Sequence, residues 1–152
     1  MAARAAILTS TDALWQSAHH GQVDQQMVDA LRRALDRLPA ADNELRCRTM
    51  LSLAGELYYG VAPQEREALA DEAVAMARRL GDPALVVAAC QAAFVSTWRP
   101  GTVRARAALA EEALQGAARL GDERALTQAQ TVRAVAAAET GDVDRFDELR
   151  AV

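Results

Sequence analysis

Lysine is missing altogether, and the seventeen basic residues are all arginine. A phosphate-cradling Gly-x-x-x-x-Gly-Lys-Ser/Thr loop uses its lysine to reach the phosphates, so this chain cannot hold one. Ile7 is the single isoleucine and aromatics make up only 4% of the chain, a shortage that argues against strands. The two cysteines, Cys47 and Cys90, lie too far apart for metal-ligand spacing. Both fall in apolar helical stretches, where small buried hydrophobes are expected. The only histidines, His19 and His20, are adjacent; neighbours on a helix point about 100° apart and cannot chelate one metal. Ser17 and Cys47 have no base partner in view, so a nucleophilic triad lacks support. The formal charge of −4 comes without a dominant basic face, which speaks against nucleic acid binding. No run approaches transmembrane length, and Met1-Ala2-Ala3-Arg4 does not open the apolar core of a signal peptide. A soluble, cytoplasmic protein is expected.

What the chain has is alanine. An apolar share of 51% over 152 residues suits a single domain, 1–152. Alanine favours helices and lets them approach closely, so the fold class is all-α. Alanine with arginine in excess, and no lysine, fits the codon bias of a GC-rich bacterial genome.

The apolar pattern recurs about every forty residues. Gly21, Gly60, Gly101 and Gly141 mark one set of stops; Leu38-Pro39, Leu80-Gly81-Asp82 and Leu120-Gly121-Asp122 mark another. The stretches from Arg66 to Asp82 and from Arg106 to Asp122 agree at roughly two-thirds of their positions. Periods of this length indicate stacked helix pairs, an α-solenoid of antiparallel pairs. The punctuation predicts eight helices. The first reaches from Ala2 or Thr11 to His19, and a second, capped by Asp24, runs to Leu38. A third is capped by Asp42 and ends at Gly60; a fourth opens at Pro63 and ends before Gly81-Asp82-Pro83. The fifth runs to Trp98 and the sixth starts at Thr102. The seventh ends at Thr140-Gly141, and a last segment opens at Asp142 or Val143. Leu69, Ala73, Met76, Ala77 and Leu80 form the apolar stripe of the fourth helix, repeated by Leu109, Ala113, Ala117 and Leu120 in the sixth.

The phase of the stops yields a half unit 1–20, full units 21–60, 61–100 and 101–140, and a half unit 141–152. A stretch of a longer array is expected, since finished solenoids carry polar capping repeats. Arg32-Arg33 and Arg78-Arg79 are expected to form solvated ion pairs at helical spacing. The carboxylate pairs Asp71-Glu72, Glu111-Glu112 and Asp147-Glu148 recur in phase with the repeat, which favours a solvated structural role. No catalytic, cofactor or metal site is expected.

The helix pairs resemble tetratricopeptide repeats. A nearer resemblance lies in Leu51-Ser52-Leu53-Ala54-Gly55-Glu56-Leu57-Tyr58-Tyr59-Gly60, in Ala73-Val74-Ala75-Met76-Ala77-Arg78-Arg79-Leu80-Gly81-Asp82-Pro83-Ala84-Leu85, and in Trp98-Arg99-Pro100-Gly101-Thr102. These look like the tetratricopeptide-like C-terminal region of large actinobacterial signalling ATPases. That group includes LuxR-type transcriptional regulators and proteins with an adenylate-cyclase-like domain. The resemblance implies a sensor or scaffold role. The family's ATPase and DNA-binding activities do not carry over, because neither a P-loop nor a helix-turn-helix stands out.

Trp15, Tyr58, Tyr59 and Trp98, with Arg99 beside the last, fall near the C-terminal ends of second helices, which stacking places along one edge. Trp, Tyr and Arg are enriched at binding hot spots; equally, each ring could plug the end of the stack. The expected function is a protein–protein interaction or scaffold module. It would present a groove made mostly by first helices to a protein, a peptide or a neighbouring domain. Small-molecule effector sensing is the alternative, and a homodimer through exposed stacking surfaces is a further expectation.

Overall fold

The computed structural model describes residues 21–150, with side chains through Glu148. Every regular element among them is an α-helix: α1 Gln25–Arg37, α2 Glu44–Glu56, α3 Pro63–Leu80, α4 Pro83–Ser96, α5 Val103–Leu120, α6 Glu123–Thr140 and α7 Val143–Arg150. The helix expected before His19, with Trp15 and both histidines, lies outside the described residues.

Local chemistry sets most boundaries. Asp24 accepts the Met27 amide at 3.0 Å and opens α1. Asp82 accepts from Ala84 and Leu85 ahead of α4, and Asp122 accepts from Ala125 ahead of α6. Gly81 and Gly121 close α3 and α5 in the left-handed region, at φ 70° and 67°, where a Cβ would be strained. Three expected boundaries shift. Asn43, not Asp42, caps α2, its side chain accepting the Arg46 amide at 2.9 Å. Asp42 is instead drawn into an ion pair with Arg79. The helices expected to reach Gly60 and Trp98 stop at Glu56 and Ser96. Carbonyls of their last turns are taken by i, i+3 bonds, with Tyr58 N–H donating to Gly55 and Trp98 N–H to Val95.

Each helix packs on its chain neighbours. In addition α2 meets α4 and α4 meets α6, whereas among the described residues α1 makes no backbone approach to α3, nor α3 to α5. Alanine permits the close side: Ala54, Ala89, Ala93, Ala129 and Ala136 are fully or almost fully buried. The open side is spanned by long side chains. Arg32 of α1 reaches Glu65 of α3 at 2.8 Å, and Arg78 of α3 holds Glu112 of α5 in a two-pronged bond. Arg79 bridges Asp42 and Glu72. The arginine pairs thus act between helices more than along one. Each such exposed pair contributes about 0–1 kcal/mol.

The stripe on α3 divides. Ala73, Met76 and Ala77 are buried, while Leu80, like Leu120 of α5, is exposed just before the glycine stop. Cys47 and Cys90 are buried as expected of small apolar residues; burial pushes the thiols up to about 11 and about 12. α4 is the centre, its Leu85, Val87, Cys90 and Phe94 all buried. Fully burying a side chain the size of Leu or Phe stabilises by about 1.5–3 kcal/mol.

Two helical glycines make opposite demands. A Cβ at Gly116 would come within 2.6 Å of Val87 Cγ2, a stiff and buried branch, whereas a Cβ at Gly55 would meet nothing within 4 Å. Gly55→Ala is therefore expected to stabilise by about 1 kcal/mol through helix propensity. Gly116→Ala is expected to destabilise by about 1–3 kcal/mol because α4 and α5 must part. Urea denaturation of the two variants measures both signs.

Candidate functional site

Tyr58 and Trp98 stand one repeat apart, each just beyond the end of a second helix. An arginine follows eight residues after each: Arg66 after Tyr58, Arg106 after Trp98. The first turn of α3 or α5 carries that arginine back over the end of the preceding second helix. The Arg66 guanidinium lies 5.0 Å from the Tyr58 ring centre. The Arg106 guanidinium lies 4.9 Å from both the Phe94 and the Trp98 rings. Contacts of a cation with a ring face strengthen where water is excluded. Phe94 and Trp98 meet edge to face at 5.8 Å.

Arg106 is the most enclosed charge among the described residues, with 1% of its side chain exposed. Its Nε donates to Thr102 Oγ1 at 3.2 Å, and Nη1 and Nη2 donate to the two carboxylate oxygens of Glu139 at the end of α6. Thr102 in turn donates toward the Thr97 and Arg99 carbonyls. One arginine therefore ties the end of α4, the start of α5 and the end of α6.

Arg66 is buried too, at 5% exposed, but less well served. Nη1 donates to the Tyr58 carbonyl at 2.6 Å, and Nε has no acceptor. The Tyr58 hydroxyl donates to the Trp98 carbonyl at 3.4 Å, which joins the two corners. Tyr59 stands edge-on to Tyr58 at 5.0 Å and is 38% exposed. Arg99 is paired with Glu67 by two hydrogen bonds, and its guanidinium holds the Glu67 carboxyl below the usual range.

Of the expected edge residues, Tyr58, Tyr59, Trp98 and Arg99 come together around this corner, while Trp15 lies outside the described residues. The Tyr58 and Trp98 side chains are half-buried there, and Tyr59 is exposed. The two arginines beneath them are the residues that sequence reasoning missed. Both head the aligned repeat and follow an aromatic at the same interval, a signal present in the sequence.

A buried carboxylate lies at the end of α2. Glu56 is 9% exposed, and burial, with a smaller contribution from Asp24, raises its pKa. Glu111 and Glu112 are lowered instead, chiefly by hydrogen bonds from Arg133 and Arg78. Among the described residues no three His, Cys, Asp or Glu gather as a metal site, and no helix is long and apolar enough to cross a membrane. No protein-family model, curated protein or solved structure matches the chain.

Ala62 stands where Thr102 stands in the next unit, so Ala62→Thr places a hydroxyl beside the orphaned Arg66 Nε. A gain of about 1 kcal/mol in urea denaturation is the expected outcome. Glu139→Ala leaves Arg106 charged and buried, and a loss of about 3 kcal/mol is expected in the same assay.

Glu56 contributes a pH dependence of definite sign. Its folded pKa lies above the unfolded value, so its stabilising share is full below the unfolded value and is lost as pH rises through the folded one. Glu67, Glu111 and Glu112 act oppositely, losing their share as pH falls through their lowered values. Glu56→Gln is accordingly expected to gain on the parent chain as pH rises from about 4 to about 7. Parallel denaturation curves across that range measure it.

Proposed function

We propose that the chain is an α-solenoid of tetratricopeptide-like helix pairs and serves as a protein–protein interaction module. The observation that most supports this is a joint repeated at the spacing of one unit. Tyr58 and Trp98 hold equivalent positions and are hydrogen-bonded to each other, and Arg66 and Arg106 wedge beneath them in the same way. Joints between like positions are what an array of stacked units requires. The resemblance in sequence suggests the context: a scaffold or sensor region within a larger signalling ATPase or transcriptional regulator. The occupant would be a protein, a peptide or a neighbouring domain of the same parent.

The groove belongs to the second helices in this reading, rather than to the first helices expected from the repeat phase. Second helices approach one another while first helices are held apart by arginine–glutamate bridges. An array so built curves toward its crowded side. The half-buried residues there are small: Gly55 on α2, Ala88 and Ala92 on α4, with Val95 and Val135 nearby. Space is open above Gly55, and a floor of this kind accepts a helix or an extended segment at short range.

A photo-crosslinking residue placed at Ala92, on the proposed groove, and at Ala108, on the exposed face of α5, tests the reading in cells. A discrete protein adduct from position 92 and none from position 108 is expected. Strong thermal stabilisation by one small metabolite, with no adduct from position 92, would favour effector sensing and sink the module reading.

A further inference from the structure

The buried arginine of one unit keeps every acceptor that its counterpart has lost. Arg106 gives Nε to Thr102 and its two terminal nitrogens to Glu139. Forty residues earlier, those two positions hold Ala62 and Arg99, which offer neither a hydroxyl nor a carboxylate. Arg99 turns to Glu67 instead, and the counterpart of Glu67 is Ala107. Glu67 feels the Arg66 charge but gives both carboxylate oxygens to Arg99. What remains to Arg66 is one carbonyl, from Tyr58 on Nη1. Its Nε is buried without an acceptor, and its Nη2 makes no hydrogen bond among the described residues.

Nε and Nη2 form the side edge of a guanidinium. Their two N–H bonds run parallel at the spacing of the two oxygens of one carboxylate. We propose that the Arg66 corner receives an acidic side chain of a protein partner, whose carboxylate closes on Nε and Nη2. Carboxylate is favoured over phosphate because the equivalent guanidinium one unit on is matched to Glu139. In the adjoining turn between α2 and α3, Val61 is fully exposed and Tyr59 is 38% exposed, which offers the partner an apolar contact. The proposal rests on the interaction-module reading, and it specifies the partner's chemistry and where on the module it binds.

The test follows the Arg66 Nε–H signal in a proton–nitrogen correlation spectrum of the full chain, assigned by its loss in Arg66→Lys. Three probes are titrated at equal ionic strength: a synthetic peptide alternating glutamate with valine, its glutamine analogue, and inorganic phosphate. The glutamate peptide is expected to shift the signal saturably, with affinity about tenfold above that of the glutamine peptide. The double variant E67A/R99E copies the charges of the next unit and supplies Arg66 with an internal carboxylate. It is expected to move the signal without peptide and to weaken peptide binding about tenfold. Ala62→Thr, which satisfies Nε alone, gives a smaller loss and serves if the double variant does not fold. Binding that leaves the Arg66 signal still, or survives both variants unchanged, overturns the site while the module reading stands. Phosphate acting as strongly as the peptide overturns the carboxylate assignment, and no response to any probe overturns the proposal.

Discussion

A guanidinium enclosed between two aromatic rings and a carboxylate is the interaction on which the rest of this structure depends. A buried charge is tolerated only where its hydrogen bonds are met, and that condition governs Arg106. Thr102 and Glu139 meet them, while Phe94 and Trp98 close off the faces. Those partners come from the ends of α4 and α6 and the start of α5. Satisfying one side chain therefore fixes where three helix termini stand relative to one another. The Tyr58 hydroxyl on the Trp98 carbonyl carries the same constraint back to the end of α2.

From these fixed ends the two sides of the molecule part company. Alanine and Gly116 bring α2, α4, α5 and α6 into close contact. Between α1, α3 and α5 the spacing is filled by arginine and glutamate, and Glu111 continues the pattern by holding Arg133 of α6 and lying 3.7 Å from Arg145 of α7. Small residues set a short distance and long residues a longer one, so composition alone produces a tight side and a wide side. Of the carboxylates that recur in phase, Glu112 joins α5 to α3 through Arg78, while Glu72 meets Arg79 on its own helix.

Helix identity was readable from the chain because its signals are local. Asp24, Asp82 and Asp122 cap, Pro63 and Pro83 start, and Gly81 and Gly121 stop, each through atoms a few residues away. Where two local signals competed, at Asp42 and Asn43, the outcome depended on Arg79 from another helix, which took the aspartate. The corner was harder to foresee for the same reason. That Arg66 and Arg106 are buried follows from rings eight residues away meeting them across a turn, and nothing in charge or hydropathy separates them from solvated arginines such as Arg104 or Arg119. The equivalence of Tyr58 and Trp98 could be read from the repeat; which faces of their rings were already occupied could not.

The bridges between first helices carry a consequence of another kind. Arg32 finds its complement at Glu65, Arg78 at Glu112 and Arg79 at Asp42, so each unit keeps its counter-charges on a neighbour. Units matched in this way behave as keyed couplings. Exchanging the second and third would part Glu65 from Arg32 and Glu112 from Arg78 and would strand Thr102 away from Thr97. The apolar stripes of α3 and α5 are closely similar, whereas the charges that face them differ.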